Sequence, residues 1–311
     1  MILSIVVPCY NEEAVLEETA ARLLEHVGRM VAGGKIADSS RIYFVDDGSR
    51  DRTWSIIRSL ASRHPSIKGI KLSRNRGHQV ALLAGLLTAP GDAVISVDAD
   101  LQDDLAAMSA MVDEHRAGAQ IVYGVRRRRD TDSNFKRLTA EWYGRLLARL
   151  GVEVVFNHAD FRLMGRAALD ALATYGEANL FLRGLIPQLG YTTAIVYYDR
   201  AARFAGESKY AFPRMLALAW DGITSFSAAP LRFITALGFL VSIGSLSITI
   251  WALWVRFFGD SVVPGWASTV LPIYFLGGVQ LLAIGMVGEY LAKTYLESKR
   301  RPRYIIETIL E

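Results

Sequence analysis

Short apolar runs alternate with longer stretches of helical period through the first two hundred residues. Ile2 to Val7 is nearly all apolar, the pattern of a strand buried on both faces. A helix is predicted from about Glu12 to Val31 and a second strand over Ile42 to Val45. Ser49 or Asp51 starts a helix that runs through Arg63. Ile67 to Leu72 and Ala93 to Val97 read as strands separated by a helix over Gly77 to Leu87. Leu105 to Ala117 reads as a helix and Ile121 to Tyr123 as a strand. The pattern then loosens: a helix over Asn134 to Leu150, a short strand over Asp160 to Met164, helices over Ala167 to Tyr175 and Leu180 to Leu189, and a strand over Thr192 to Tyr198. Strands alternating with helices predict a mainly parallel sheet covered on both faces, which binds ligands at the carboxyl ends of its strands.

From Phe212 the pattern changes. Phe212 to Pro230 mixes Leu, Met, Trp and Phe with few charges, as an interfacial helix does. Phe233 to Val255 carries no charge and is long enough to span a bilayer. Ser261 to Gly288 is also uncharged, so a second span is predicted from about Ser268, after Pro264 and Gly265. The short connection has Asp260 and no Lys or Arg, whereas Lys293, Lys299, Arg300, Arg301 and Arg303 follow the second span. The positive-inside tendency then puts the tail in the cytoplasm beside the first domain, in a protein of the inner membrane. The expected organisation is a catalytic-size domain over 1–211, interfacial helices over 212–230, two spans over 231–292 and a basic tail over 293–311.

Composition adds limits. The net charge of +4 gives no indication of a nucleic-acid partner, although basic residues cluster at Arg126 to Arg129 and in the tail. One cysteine, Cys9, excludes an intrachain disulfide. The start, Met-Ile-Leu-Ser-Ile-Val-Val-Pro, has no basic segment or cleavage site of a secretory signal, so the first domain is expected in the cytosol. No G-x-G-x-x-G, G-x-S-x-G or H-E-x-x-H occurs.

Three polar segments follow predicted strands. Asp98-Ala99-Asp100-Leu101-Gln102 places oxygen-bearing side chains at alternate positions, so that they can converge on one hard divalent cation. Asp103 and Asp104 beside it also suit an acidic helix cap. Asp46-Asp47-Gly48-Ser49-x-Asp51 joins a turn glycine to carboxylates that can accept from a base N–H or cap a helix. Pro8-Cys9-Tyr10-Asn11-Glu12-Glu13 offers an aromatic ring and polar groups to a nucleobase.

These segments resemble the family 2 glycosyltransferases of GT-A fold, within them the polyprenyl-phosphate hexosyltransferases. The likeness extends over Leu72-Ser73-Arg74-Asn75-Arg76-Gly77-His78-Gln79, Tyr123-Gly124-Val125-Arg126, Asp160-Phe161-Arg162-Leu163-Met164, Gly206-Glu207-Ser208-Lys209-Tyr210 and the tail from Gly288 to Tyr304. It implies that Tyr10 and Asp47 hold the base, with Pro8, Asn11, Glu12 and Gln79 beside the nucleotide-sugar. Asp98, Asp100 and Gln102 would hold Mg²⁺ or Mn²⁺ on the diphosphate. Arg126, Lys136, Arg137, Arg203, Ser208 and Lys209 would bind donor and acceptor phosphates, and Asp160 would stand near the sugar. The implied reaction is inverting, metal-dependent transfer of a hexose, glucose from UDP-glucose before mannose from GDP-mannose or an aminosugar or modified arabinose from a UDP donor, to undecaprenyl phosphate for cell-surface polysaccharide. The alternative is a non-catalytic lipid-binding relative. Membrane lipids are the other expected partners, and hairpins of this kind often form homo-oligomers.

Overall fold

The computed structural model describes residues 1–100, 102–127, 158–177, 180–199, 224, 229–258 and 265–310. The expected helix over 134–150, most of the interfacial stretch 212–230, and Lys136, Arg137, Arg203, Ser208 and Lys209 lie outside the described residues.

The chain runs β1 (Leu3–Cys9), α1 (Leu16–Ala32), β2 (Arg41–Asp46), α2 (Thr53–Arg63), β3 (Ile67–Leu72), α3 (His78–Thr88), β4 (Ala93–Ser96), α4 (Ala107–Arg116) and β5 (Ile121–Arg126). It continues through β6 (His158–Gly165), α5 (Arg166–Ala173), α6 (Leu182–Gln188), β7 (Thr193–Tyr198), α7 (Ala229–Phe258), α8 (Trp266–Ser298) and β8 (Ile306–Leu310). These strands form one sheet in the order β7-β5-β6-β4-β1-β2-β3-β8. β4, β1, β2 and β3 are parallel, whereas β6 runs antiparallel to β4 and β5.

β1 is central, so all seven of its residues are buried. Leu3, Ile5, Val7 and Cys9 pack with α1, α2 and α4, while Val6 faces the side packed by α3, α5 and α6. Apolar residues at both parities are the reason the run carries no alternation. Close packing on the second side needs Gly85 of α3, where an added Cβ would stand 2.3 Å from a Val6 methyl. α1 starts at Leu16, later than expected, because residues 11–13 are tied by hydrogen bonds to the turn after β2.

The described residues fall into two bodies: the sheet and its helices, which include residues 300–310, and a second body with residues 224, 229–258 and 265–299. The expected basic tail over 293–311 therefore divides. α8 continues to Ser298, and Ile306–Leu310 is an edge strand antiparallel to β3. Gly69 makes room for it: a Cβ there would be 2.8 Å from both Ile57 Cγ2 and Leu310 Cδ1. The Ser73 N–H donates to the Ile305 carbonyl at 3.0 Å, and Lys71 pairs with Glu307 at 2.9 Å.

Deleting residues 304–311 removes the side chain that fills the Gly69 site and exposes the β3 edge. Burial of one leucine and a few ladder bonds predict a loss of about 3–5 kcal/mol. That corresponds to a fall of roughly 6–20 °C in the unfolding midpoint of the sheet domain. Thermal unfolding followed by circular dichroism would measure it, and a midpoint unchanged within a degree would show β8 to be an ornament of the sheet.

In the second body, Phe275–Ser298 is long and apolar enough to cross a membrane. It is the one stretch among the described residues that meets that measure, so the expected pair of spans is not established.

Candidate functional site

β2 and β3 follow β1 to one side of the sheet, and β4 lies on the other. The strand order reverses there, so the loops after β1 and β4 part and leave a crevice at their carboxyl ends. Tyr10 to Glu13 follow β1, and Asp98 to Gln102 follow β4.

The β1 and β2 loops lock together. Asn11 adopts a left-handed backbone with φ 54°, which asparagine tolerates better than most residues. Its N–H donates to Ser49 Oγ at 3.0 Å, and its Oδ1 accepts from the Arg50 N–H at 2.9 Å. The Glu12 N–H donates to Thr53 Oγ1 at 2.9 Å. Asp51 accepts from the N–H groups of Glu13 and Thr53, thereby capping α2. Pro8 is buried inside β1, and Tyr10 is half-buried at its end.

Asp47 Oδ1 accepts from the Arg76 N–H at 2.7 Å and Oδ2 from the Gly77 N–H at 2.8 Å. Asp47 thus holds the loop before α3. Gly48 reaches φ 65°, and an added Cβ would meet the Arg74–Asn75 peptide at 2.7 Å, so glycine is required where these loops touch. Gln79 accepts from the Leu182 N–H at 3.0 Å, which caps α6.

Carboxylates crowd the other wall. Burial pushes the Asp98 carboxyl up to about 6; His78 offsets part of this, while Asp160, Asp103 and Asp100 add to it. Asp100 Oδ1 accepts from the Gln102 N–H at 3.3 Å. Among the described residues no three His, Cys, Asp or Glu side chains converge as a complete metal cage. A Mg²⁺-type site needs only one or two carboxylates, with water and phosphate completing it. The excess negative charge around Asp98 fits a divalent cation in that way.

Asp103 is no helix cap, since α4 begins at Ala107 and Asp104 accepts from the Ala106 N–H. Buried Asp103 instead accepts from Tyr198 Oη at 2.5 Å and Arg126 Nη2 at 3.5 Å, while Arg126 Nε donates to Tyr198 Oη at 3.2 Å. β5 and β7, paired in parallel, bring Arg126 opposite Tyr198.

Asp160 is the hub of a second cluster. Arg162 Nη2, fully buried, donates to Oδ1 at 2.5 Å. Arg183 Nε and Nη2 reach Oδ1 at 3.2 Å and Oδ2 at 3.1 Å. His78 Nε2 is 3.4 Å from Asp160 Oδ2 and 3.6 Å from Asp98 Oδ1. Burial raises the Asp160 carboxyl, but His78, Arg162 and Arg183 outweigh it and hold it well below the ordinary value. Such a carboxylate is a poor proton acceptor.

The family model described as glycosyl transferase family 2 matches residues 4–173, more than half of the chain. The chain belongs to glycosyl transferase family 2. Over 308 residues this transferase is 49% identical to the uncharacterized glycosyltransferase YkoT of Bacillus subtilis strain 168, covering 98% of this chain and 91% of that protein. It is 40% identical over 311 residues to the bactoprenol glucosyl transferase of Shigella phage SfV, covering 99% and 98%. It is 38% identical over 313 residues to the prophage bactoprenol glucosyl transferase homolog of Escherichia coli strain K12, covering 99% of both. The mainly parallel α/β sheet agrees with the GT-A arrangement expected of the family.

Of the transferase residues singled out from sequence, the structure gathers Tyr10, Asn11, Glu12 and Asp47 in the interlocked loops and Asp98, Asp100 and Gln102 after β4. It adds Tyr198 and Asp103 as the brace of Arg126, and Arg183 as the partner of Asp160. Arg183 had a signal: a lone arginine among apolar residues, in Leu180-Phe181-Leu182-Arg183-Gly184. Tyr198→Phe removes the hydroxyl between Asp103 and Arg126. Expected is a loss of about 1–3 kcal/mol of stability, read by thermal unfolding. An unchanged midpoint would mean that Asp103 alone holds Arg126.

Proposed function

We propose that this transferase moves glucose from UDP-glucose to undecaprenyl phosphate at the cytoplasmic face of the membrane, with inversion. The observation that carries the reading is near-40% identity over the full length to a bactoprenol glucosyl transferase, in a chain that has the carboxylate and arginine clusters at the switch point of the sheet.

Asp98, Asp100 and Gln102 would hold one Mg²⁺ or Mn²⁺, which supplies charge neutralisation for the departing diphosphate. Tyr10 lies against the base and Asp47 accepts from its edge. Arg126, braced by Tyr198 and Asp103, stabilises the diphosphate. The acceptor phosphate, with a second pKa of about 6 by analogy with phosphoesters, is already ionised near neutral pH and needs no general base. Its oxygen bonds to the anomeric carbon as the bond to UDP breaks, and the electron pair leaves on UDP. Asp160, paired with two arginines, orients them and takes no proton.

The second body supports a membrane reading. Phe239, Leu240, Leu246, Trp251 and Trp254 of α7, and Phe275, Leu281 and Ile284 of α8, are exposed, and in water such a surface would be costly. On this reading α7 and α8 would both cross the bilayer, and the return of the chain as β8 agrees with a sheet domain kept whole on the cytoplasmic side.

The test is transfer itself. Purified protein is incubated with undecaprenyl phosphate, Mg²⁺ and radiolabelled UDP- and GDP-sugars, and label is counted in the organic phase. Labelling from UDP-glucose alone is expected. Labelling from another donor would replace glucose, and none from any donor, with no nucleotide binding, would leave a non-catalytic lipid-binding relative.

A further inference from the structure

We propose that Arg183 is the group that receives the acceptor phosphate, with Asp160 and Arg162 as the buried frame that fixes its direction. This deepens the acceptor assignment above and rests on it.

Arg183 stands in the first turn of α6, between buried Leu182 and buried Gly184, Leu185 and Ile186. The apolar side of that helix anchors it, and the Gln79 side chain caps its start. The arginine side chain itself is 43% exposed, unlike Arg162 at 0%. Asp160 grips Nε and Nη2. A guanidinium has five N–H donors, so three are left without a partner among the described residues. The grip removes rotamer freedom before any ligand arrives, which lowers the entropic cost of binding.

Charge selects an anion. Asp160 and Asp98 face Arg162, Arg183 and the His78 ring that lies between the two carboxylates. Arg162 is sealed in the core and cannot reach a ligand; Arg183 is the guanidinium of this cluster that reaches the surface. His78 Nε2 stands 3.6 Å from Asp98 Oδ1 and 3.4 Å from the Asp160 Oδ2 that Arg183 Nη2 grips at 3.1 Å, so Arg183 adjoins the carboxylates after β4.

Two anions meet in the reaction. The donor diphosphate would already have Arg126 and the cation that Asp98 and Asp100 would hold. The attacking phosphate monoester has to approach that diphosphate against like-charge repulsion and needs a cation of its own. A planar fork with free N–H groups suits a phosphate better than a sugar hydroxyl.

The test compares wild type, Arg183→Gln and Arg183→Lys in detergent with undecaprenyl phosphate, and measures UDP-glucose affinity by calorimetry with Mn²⁺. The expected result for Arg183→Gln is an acceptor KM raised about 10- to 100-fold, with donor affinity within about twofold of wild type. Arg183→Lys keeps the charge without the fork and falls between the two. Farnesyl phosphate, a short soluble phosphate monoester, inhibits wild type competitively against the lipid, and Arg183→Gln loses that inhibition. An unchanged acceptor KM in both variants overturns the proposal, as does a donor affinity that falls in parallel. Should Arg183→Gln fail to bind UDP or unfold early, Arg183→Lys decides: a wild-type acceptor KM there overturns the proposal, and a raised one with donor affinity kept supports it. A wild type that labels no lipid removes the acceptor assignment and this inference together, whereas a labelling wild type beside indifferent variants removes the inference alone.

Discussion

Asp160→Ala lowers the stability of the sheet domain by about 3–5 kcal/mol, because the fully buried Arg162 guanidinium loses its counter-charge. Arg162 Nε and Nη1 already have no partner, so the remaining donor would join them in the core. The unfolding midpoint falls by roughly 6–20 °C, read by circular dichroism. Arg162→Met in the same chain restores much of that loss by removing the stranded charge, but turnover stays low because Arg183 is still without its brace. Acid gives a second readout. The Asp160 carboxyl is depressed in the folded protein, so it stabilises fully above the ordinary value near 4 and loses that contribution as pH falls through the lower folded value. Wild-type stability therefore drops below about pH 4 partly through this group, and Asp160→Ala is flatter there. A midpoint within a degree of wild type would show that Arg162 is compensated elsewhere.

Asp100→Ala abolishes transfer, by about 1000-fold or more, if the carboxylates after β4 hold the cation that neutralises the diphosphate. Burial is the main cause that raises the Asp98 carboxyl and Asp100 a minor one, so Asp98 stays raised in the variant. Mn²⁺ titration followed by electron paramagnetic resonance should show the metal site weakened, and UDP binding should lose its metal dependence. Full activity in the variant would remove the metal assignment from Asp98, Asp100 and Gln102.

The parts legible in sequence were those with local causes. Burial on both faces produced the unbroken apolar run of β1, helical period marked α1 to α4, and the alternate-residue spacing of Asp98 and Asp100 put both at a strand end. β8 went unread, although Ile305-Ile306-Glu307-Thr308-Ile309-Leu310 is rich in β-branched residues. Its partner, β3, is more than two hundred residues away, and five residues at a chain end have no pattern that names such a partner. Asp103 looked like a cap because capping is local; its true partners, Arg126 and Tyr198, are 23 and 95 positions distant.

Sequence by itself determined the order of strands and helices along most of the sheet domain and which loops carry carboxylates, since both follow from residue type and short spacing; the family was legible through the resemblance of those segments to its motifs. The antiparallel insertion of β6, the return of the chain as β8, the brace on Arg126 and the pairing of Asp160 with Arg162 and Arg183 were decided by tertiary structure alone. Each joins groups from separate strands or helices. Their energies come from desolvation and charge pairing, which exist only once the sheet has brought those groups together and excluded water.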